Sequence, residues 1–199
     1  MSGKRYKGDI VAGSLLVPES RKVAVLLLQG LEGKALAHKA LEDNLLQKRS
    51  PSTAKRQVRL IVARLAPLHP DFWPIIQNGS QEQATQAILC AAIKHNHLVG
   101  DFIRQVVTTN IRTFLPQITY RDWDAFFEQS QGIEPSLASW PDSTRAKVRQ
   151  VTFRILAEAK IIDSSRSKHL LPFSVLPEIK NLLQTHDKTY VLHCLEIFL

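Results

Sequence analysis

Cysteine and long apolar runs are what this 199-residue chain has little of, and each shortage removes a class of protein. Two cysteines, Cys90 and Cys194, give no basis for a disulfide framework or a Cys-based zinc site. Each sits in an apolar context, Ala87-Ile88-Leu89 and Leu192-His193, which predicts buried free thiols. The longest apolar runs, such as Val23 to Leu28 and Ala87 to Ile93, fall far below the ~20 residues needed to cross a bilayer. No membrane insertion is expected. The start Met1-Ser2-Gly3-Lys4-Arg5 is basic but is not followed by a signal-peptide apolar core, so a cytoplasmic chain is expected.

Catalytic signatures are equally scarce. There is no phosphate-cradling glycine loop and no nucleophile elbow. His95 and His97 are two residues apart, on nearly opposite sides of a helix, and no carboxylate completes a metal shell with them. Pro141-Asp142 followed by Glu158-Ala159-Lys160 matches the Pro-Asp…Glu-x-Lys string of many metal-dependent nucleases. Here, however, the two parts occupy opposite ends of one predicted helix, ~24 Å apart at 1.5 Å rise per residue, too far to share an ion. The expectation is a non-enzyme with no catalytic residues, no metal and no cofactor.

What the chain does have is positive charge, unevenly placed. Apolar residues make up 44% and net charge is +8, with a pI near 9.7; this favours a polyanionic partner. Residues 1–116 hold 16 Lys+Arg against 8 Asp+Glu, whereas residues 117–199 hold 10 of each, so the first part carries the whole excess. No acidic residue interrupts Lys48 to Arg64.

Helical periodicity runs through most of the chain. Helices are predicted over 18–31 and 34–46, then over 51–65 after a short link from Gln47 to Ser50. That order is helix, tight link, helix, as in a helix-turn-helix unit. Ser50 suits the cap of the third helix and Pro51 its first turn. At roughly 100° per residue, Ala54, Val58, Ile61, Val62 and Leu65 share one face, while Ser52, Lys55, Arg56 and Arg59 lie away from it. A Lys/Arg face with Ser and Thr between, on a helix packed through its other side, is what a DNA-reading helix needs.

Pro67 and Pro70 break that helix, Phe72 to Gln77 reads as a short one, and Ser80 with Gln83 forms a capping-box start for a helix to about His95. A long helix is predicted over 97–114, with a domain boundary at Leu115 to Thr119. Beyond it come a Thr119-capped helix over about 120–131 and a helix from Asp142 or Ser143 to about Ala159, which places Ser143, Lys147, Gln150 and Arg154 on one face. Ile161-Ile162, the polar Asp163 to Lys168 segment and His169-Leu170-Leu171 suggest a β-hairpin with a basic tip. Helix followed by wing reads as a winged-helix module. Residues 177–186 are predicted helical, and periodicity leaves 190–199 as helix or strand.

The string Glu42-Asp43-Asn44-Leu45-Leu46-Gln47-Lys48-Arg49-Ser50-Pro51-Ser52-Thr53-Ala54-Lys55-Arg56 resembles the small BrxA-type accessory proteins of BREX phage-defence systems. Further matches are Tyr6-Lys7-Gly8-Asp9-Ile10 with Ala12-Gly13-Ser14-Leu15, Arg64-Leu65 before Pro67, Asp101-Phe102, Trp140 with Ser143-Thr144, and Leu156-Ala157-Glu158-Ala159. The resemblance implies an all-helical, NusB-like or helix-turn-helix architecture, a cytoplasmic DNA-binding role in phage defence, and other BREX proteins as partners. It carries over no catalytic residue.

The combined expectation is a mainly α protein. Residues 1–116 form a helical domain with a helix-turn-helix at about 34–65, and residues 117–199 form a winged-helix-like domain with a short β-hairpin wing. It binds double-stranded DNA. Lys48, Arg49, Lys55, Arg56 and Arg59 neutralise phosphates, about five in all, and Ser52 and Thr53 add hydrogen bonds. Lys147, Gln150 and Arg154 face the groove, with Arg166 and Lys168 on the wing. A NusB-like RNA-binding module or a scaffold for the defence complex are the alternatives. The terminal residues Lys4-Arg5-Tyr6-Lys7 are a further candidate for contact with phosphate or the minor groove. Oligomeric state is left open by the sequence.

Overall fold

A computed structural model describes residues 6–186 and 190–199. Its elements are helical throughout: α1 Val17–Leu28, α2 Gly33–Glu42, α3 Pro51–Leu65, α4 Phe72–Asn78, α5 Gln81–His95, α6 His97–Phe102, α7 Thr108–Arg112, α8 Tyr120–Ile133, α9 Asp142–Glu158, α10 Pro177–His186 and α11 Tyr190–Leu195. Short 3-10 turns cover Gly8–Ala12, Pro135–Ser139 and Glu196–Phe198, and a π-helical segment, Ile103–Val107, joins α6 to α7.

Local chemistry explains most starts. The Ser50 side chain accepts from the Thr53 N–H, with Pro51 in the first turn of α3. Ser80 and Gln83 form the reciprocal capping box at α5, and Thr119 with Asp122 repeats the device at α8. α2 stops at Glu42, four residues before the expected end, because Asn44 and Gln47 take positive φ angles (42° and 52°) that a right-handed helix cannot hold. The predicted helix over 97–114 forms as three pieces with the π segment in the middle, where each backbone bond reaches one residue further.

α5 is buried almost from end to end, from Ala84 to Ile93, and is the axis about which the other helices pack. Phe102, Trp123, Phe126 and Phe153 fill the centre of the second half, with ring centroids 5.1–5.8 Å apart around Phe102. One continuous apolar core joins residues on both sides of position 116. The chain after α9 returns to α5: the Gln86 side chain donates to the Ser174 carbonyl at 2.9 Å and accepts the Leu176 N–H at 2.8 Å. Cys90 and Cys194 are buried and free.

The expected β-hairpin wing does not form, and no strand occurs among the described residues. Ile161-Ile162 and His169–Leu171 meet through a single antiparallel bridge, Ile162 to Leu170, with a second isolated bridge from Gln117 to His169. The Asp163 and Leu171 N–H groups make the two backbone bonds of that bridge, to the His169 and Ile161 carbonyls at 2.9 and 3.0 Å, but the ladder goes no further because the next donors are taken locally. The Asp163 carboxylate accepts the Ser164 and His169 N–H groups at 2.6 and 3.0 Å, the Ser164 hydroxyl accepts the Ser167 N–H at 3.1 Å, and Lys168 turns to φ 61°. The C-terminal region is therefore helical with an irregular loop, not a winged helix.

Candidate nucleic-acid interface

α3 has two unlike sides. Ala54, Val58, Ile61 and Leu65 are buried on one, while Ser52, Lys55, Arg56 and Arg59 are exposed on the other and Thr53 is half-buried; Leu60, round the helix beside Arg56, is buried as well. Lys55, Arg56 and Arg59, together with exposed Arg49 before the helix, make no hydrogen bond or ion pair among the described residues. Lys48 differs. Its Nζ lies 2.7 Å from a Glu19 carboxylate oxygen on α1, in a half-buried pair that cancels its charge. Sequence reading missed this partner because it lies 29 residues away on another helix, although the link itself contains no acid.

Arg64 also lies on α3 but points inward. It is buried, and its guanidinium donates to the Ser14 and Gly13 carbonyls, holding the N-terminal segment against the helix. Desolvation pulls its pKa down to about 10, against the opposing pull of Asp9 and Glu158, so it stays charged at neutral pH. The same segment is held from the other side by Glu158 of α9, which accepts the Ser14 hydroxyl at 2.6 Å and the Leu15 N–H at 2.9 Å.

Between this segment and α3 runs a groove of about 350 Å³, floored by Val11, Ala12, Leu60 and Ala63 and edged by Arg56, Arg59 and Asp9. Burial alone would raise the Asp9 carboxyl, but the hydrogen bond and charge of His95 at 2.7 Å, with Lys7 and Arg64 near, hold it below its usual value. The groove thus has two unpaired guanidinium groups on one wall and a carboxylate hydrogen-bonded to His95 on the other.

α9 presents the second polar face. Ser143, Lys147, Gln150 and Arg154 are all exposed, but Lys147 donates to the Gln150 side-chain oxygen at 2.9 Å and Arg154 pairs with Glu158 at 3.0 Å. In the 163–168 loop Arg166 is exposed. Lys168 is buried instead. Its Nζ donates to the Arg166 carbonyl and sits 4.3 Å from the Tyr120 ring centroid, so it is a packing cation and not a loop tip. Lys4 and Arg5 lie outside the described residues, and Tyr6 is fully buried with its hydroxyl donating to Asp101 at 2.7 Å. Asp142 and Glu158 stand at opposite ends of α9, as the nuclease-string argument requires.

The family model for BrxA matches residues 4–187. Proteins described as BREX protein BrxA are similar over nearly the full length. The one from Paramagnetospirillum magneticum is 39% identical, covering 99% of both chains. The one from Escherichia coli O9:H4 is 33% identical, covering 97% of this chain and 91% of its own. A crystal structure of a protein from Magnetospirillum magneticum superposes with a TM-score of 0.89 at 37% identity, covering 97% of this chain and 99% of that one.

Proposed function

The chain belongs to the BrxA family of BREX proteins, and from that premise we propose that it serves phage defence by binding double-stranded DNA without catalysing a reaction, in company with other BREX proteins. The observation that carries this reading is the exposed, unpaired quartet Arg49, Lys55, Arg56 and Arg59 on and just before a helix whose opposite face is buried. Four cations held on one rigid face have no intramolecular use for their charge, and a phosphate backbone supplies what they lack. Ser52 and Thr53 add donors at the helix start, where the backbone N–H groups and the macrodipole also favour a phosphate.

The helical region up to residue 116 contributes this primary face, and the region from 117 contributes α9, with Lys147, Gln150 and Arg154, and Arg166 beside it. Because Lys48 already carries a carboxylate partner, the first contact falls to four phosphates and not five. Log affinity for duplex then falls against log salt with a slope of about −3 to −4.

The test is a duplex titration by fluorescence anisotropy across a salt series, with wild type and an Arg56→Glu/Arg59→Glu variant side by side. The expected result is that slope for wild type and near-complete loss for the variant. Equal binding by both, or binding that ignores salt, removes the proposal. No described helix is long and apolar enough to cross a membrane.

A second reading, as a scaffold, is favoured by one specific corner. Phe114 is 93% exposed at φ 56°, with Leu115 beside it at 51%, and apolar side chains so presented suit another protein more than a nucleic acid.

A further inference from the structure

In the link between α3 and α4 the chain reads Pro67-Leu68-His69-Pro70-Asp71. Prolines at 67 and 70 fix φ on both sides of His69. Leu68 is buried beneath the turn, and the Phe72 and Trp73 N–H groups close onto the His69 and Pro70 carbonyls at 3.0 and 2.9 Å. This stiff turn meets the last residue of α10, His186, whose helix is anchored through buried Ile179 and Leu183. His69 and His186 stack face to face, with centroids 3.6 Å apart and planes 4° from parallel. Both aim a ring nitrogen at the same oxygen: His186 Nε2 is 2.9 Å and His69 Nδ1 3.4 Å from Asp71 Oδ2. Two imidazoles and one carboxylate, from segments 115 residues apart, bring one donor atom each within 4.8 Å of one another.

We propose that His69, Asp71 and His186 form a binding site for a divalent transition-metal ion of the zinc class. Two imidazole nitrogens and a carboxylate oxygen are a donor set that borderline ions prefer over magnesium or calcium, whose hard shells take oxygen alone. Three protein ligands leave further positions for water, and the exposure of His69 and Asp71 gives that water access. The parallel rings keep their lone pairs in separate planes, so one imidazole tilts out of the stack when both nitrogens approach an ion at about 2.1 Å. The Asp71 carboxylate, hydrogen-bonded to His186 and 3.4 Å from His69 Nδ1, which accepts the Asp71 backbone N–H, turns that oxygen from the His186 ring to the ion. Bound, the ion fastens the end of α10 to the α3–α4 turn, and its binding energy adds to the stability of that contact.

Zinc chloride titrated calorimetrically into tag-free protein at pH 7.5 tests this. The expected result is one ion per chain, with affinity weakened at least about tenfold in each of His69→Ala, His186→Ala and the shape-conserving Asp71→Asn. His38→Ala is the control: that exposed imidazole pairs with Glu42 at 3.5 Å within one helix and belongs to no three-ligand group among the described residues. It leaves zinc affinity unchanged. Absence of stoichiometric binding by wild type overturns the proposal, as does zinc affinity unaltered in Asp71→Asn and His186→Ala.

Discussion

Ser14 and Glu158 stand 144 residues apart in sequence and 2.6 Å apart in the structure, with the serine hydroxyl donating to the carboxylate. The carboxylate that completed a nuclease-like string in the sequence is thereby employed as a clamp. One oxygen takes Ser14, the other takes the Leu15 N–H, and Arg154 closes the first at 3.0 Å. Glu158→Ala leaves the serine and the backbone amide without their charged acceptor. It is expected to lower stability by about 2 kcal/mol, read as a shift of the urea midpoint at unchanged m-value. An unshifted midpoint would show that the clamp carries no stability.

Arg64 supports the same segment from α3. Replacing it by Ala strands the Gly13 and Ser14 carbonyls in a site the side chain itself fills, and the expected loss is about 2–4 kcal/mol. Chemical denaturation measures it. Because Arg64 and Glu158 grip neighbouring atoms, the double variant should lose less than the sum of the single losses.

Glu19 holds Lys48 out of the unpaired set. Glu19→Gln keeps the shape and releases the ammonium, so duplex affinity should rise and the salt slope steepen by about one unit. An unchanged slope would place Lys48 away from the phosphates. The anisotropy titration used for the Arg56/Arg59 variant reads both quantities.

Acid should loosen the N-terminal segment. The folded-state pKa of Asp9 lies below its ordinary value, so the stability this group contributes is fully present above about pH 4 and is lost as pH falls through the depressed folded value. Thermal melts between pH 6 and pH 3 should show a fall on the acid limb that is smaller in Asp9→Asn. Parallel acid limbs in the two proteins would refute the assignment.

Gly100 offers a packing test. A Cβ there would lie 2.6 Å from the Tyr190 hydroxyl, 2.8 Å from Ile93 Cγ2 and 2.9 Å from Cys194 Sγ. Gly100→Ala should therefore cost about 1–3 kcal/mol by overpacking, visible as a lower melting temperature. An equal or higher value would mean that α11 yields easily.

Sequence was most informative where the physics is local. Ser50-Pro51, Ser80 with Gln83, and Thr119 mark their helices because a cap is made by residues three apart. Most of the inward and outward faces of α3 follows from its period; the departures are Val62, which is only half-buried, Leu60, which is buried off the expected face, and Arg64, a buried charge whose carbonyl partners lie about fifty positions away. The same limit hid Glu19 from Lys48 and the Tyr120 ring from Lys168. The wing was misread because two short apolar runs, one of them β-branched, around a polar turn resemble a hairpin, while Asp163, Ser164 and Ser167 close that turn on itself. His69 and His186, far apart in the chain, carry no shared signature at all. The boundary expected at Leu115 to Thr119 rests on the end of the predicted 97–114 helix at Pro116, and the apolar core includes residues from both sides of it.

The N-terminal segment is gripped by Arg64 of α3 on one side and by Glu158 of α9 on the other. The two helices are therefore splinted through one short stretch of chain at a set spacing, and any partner reaching from one to the other would have to match a fixed gauge.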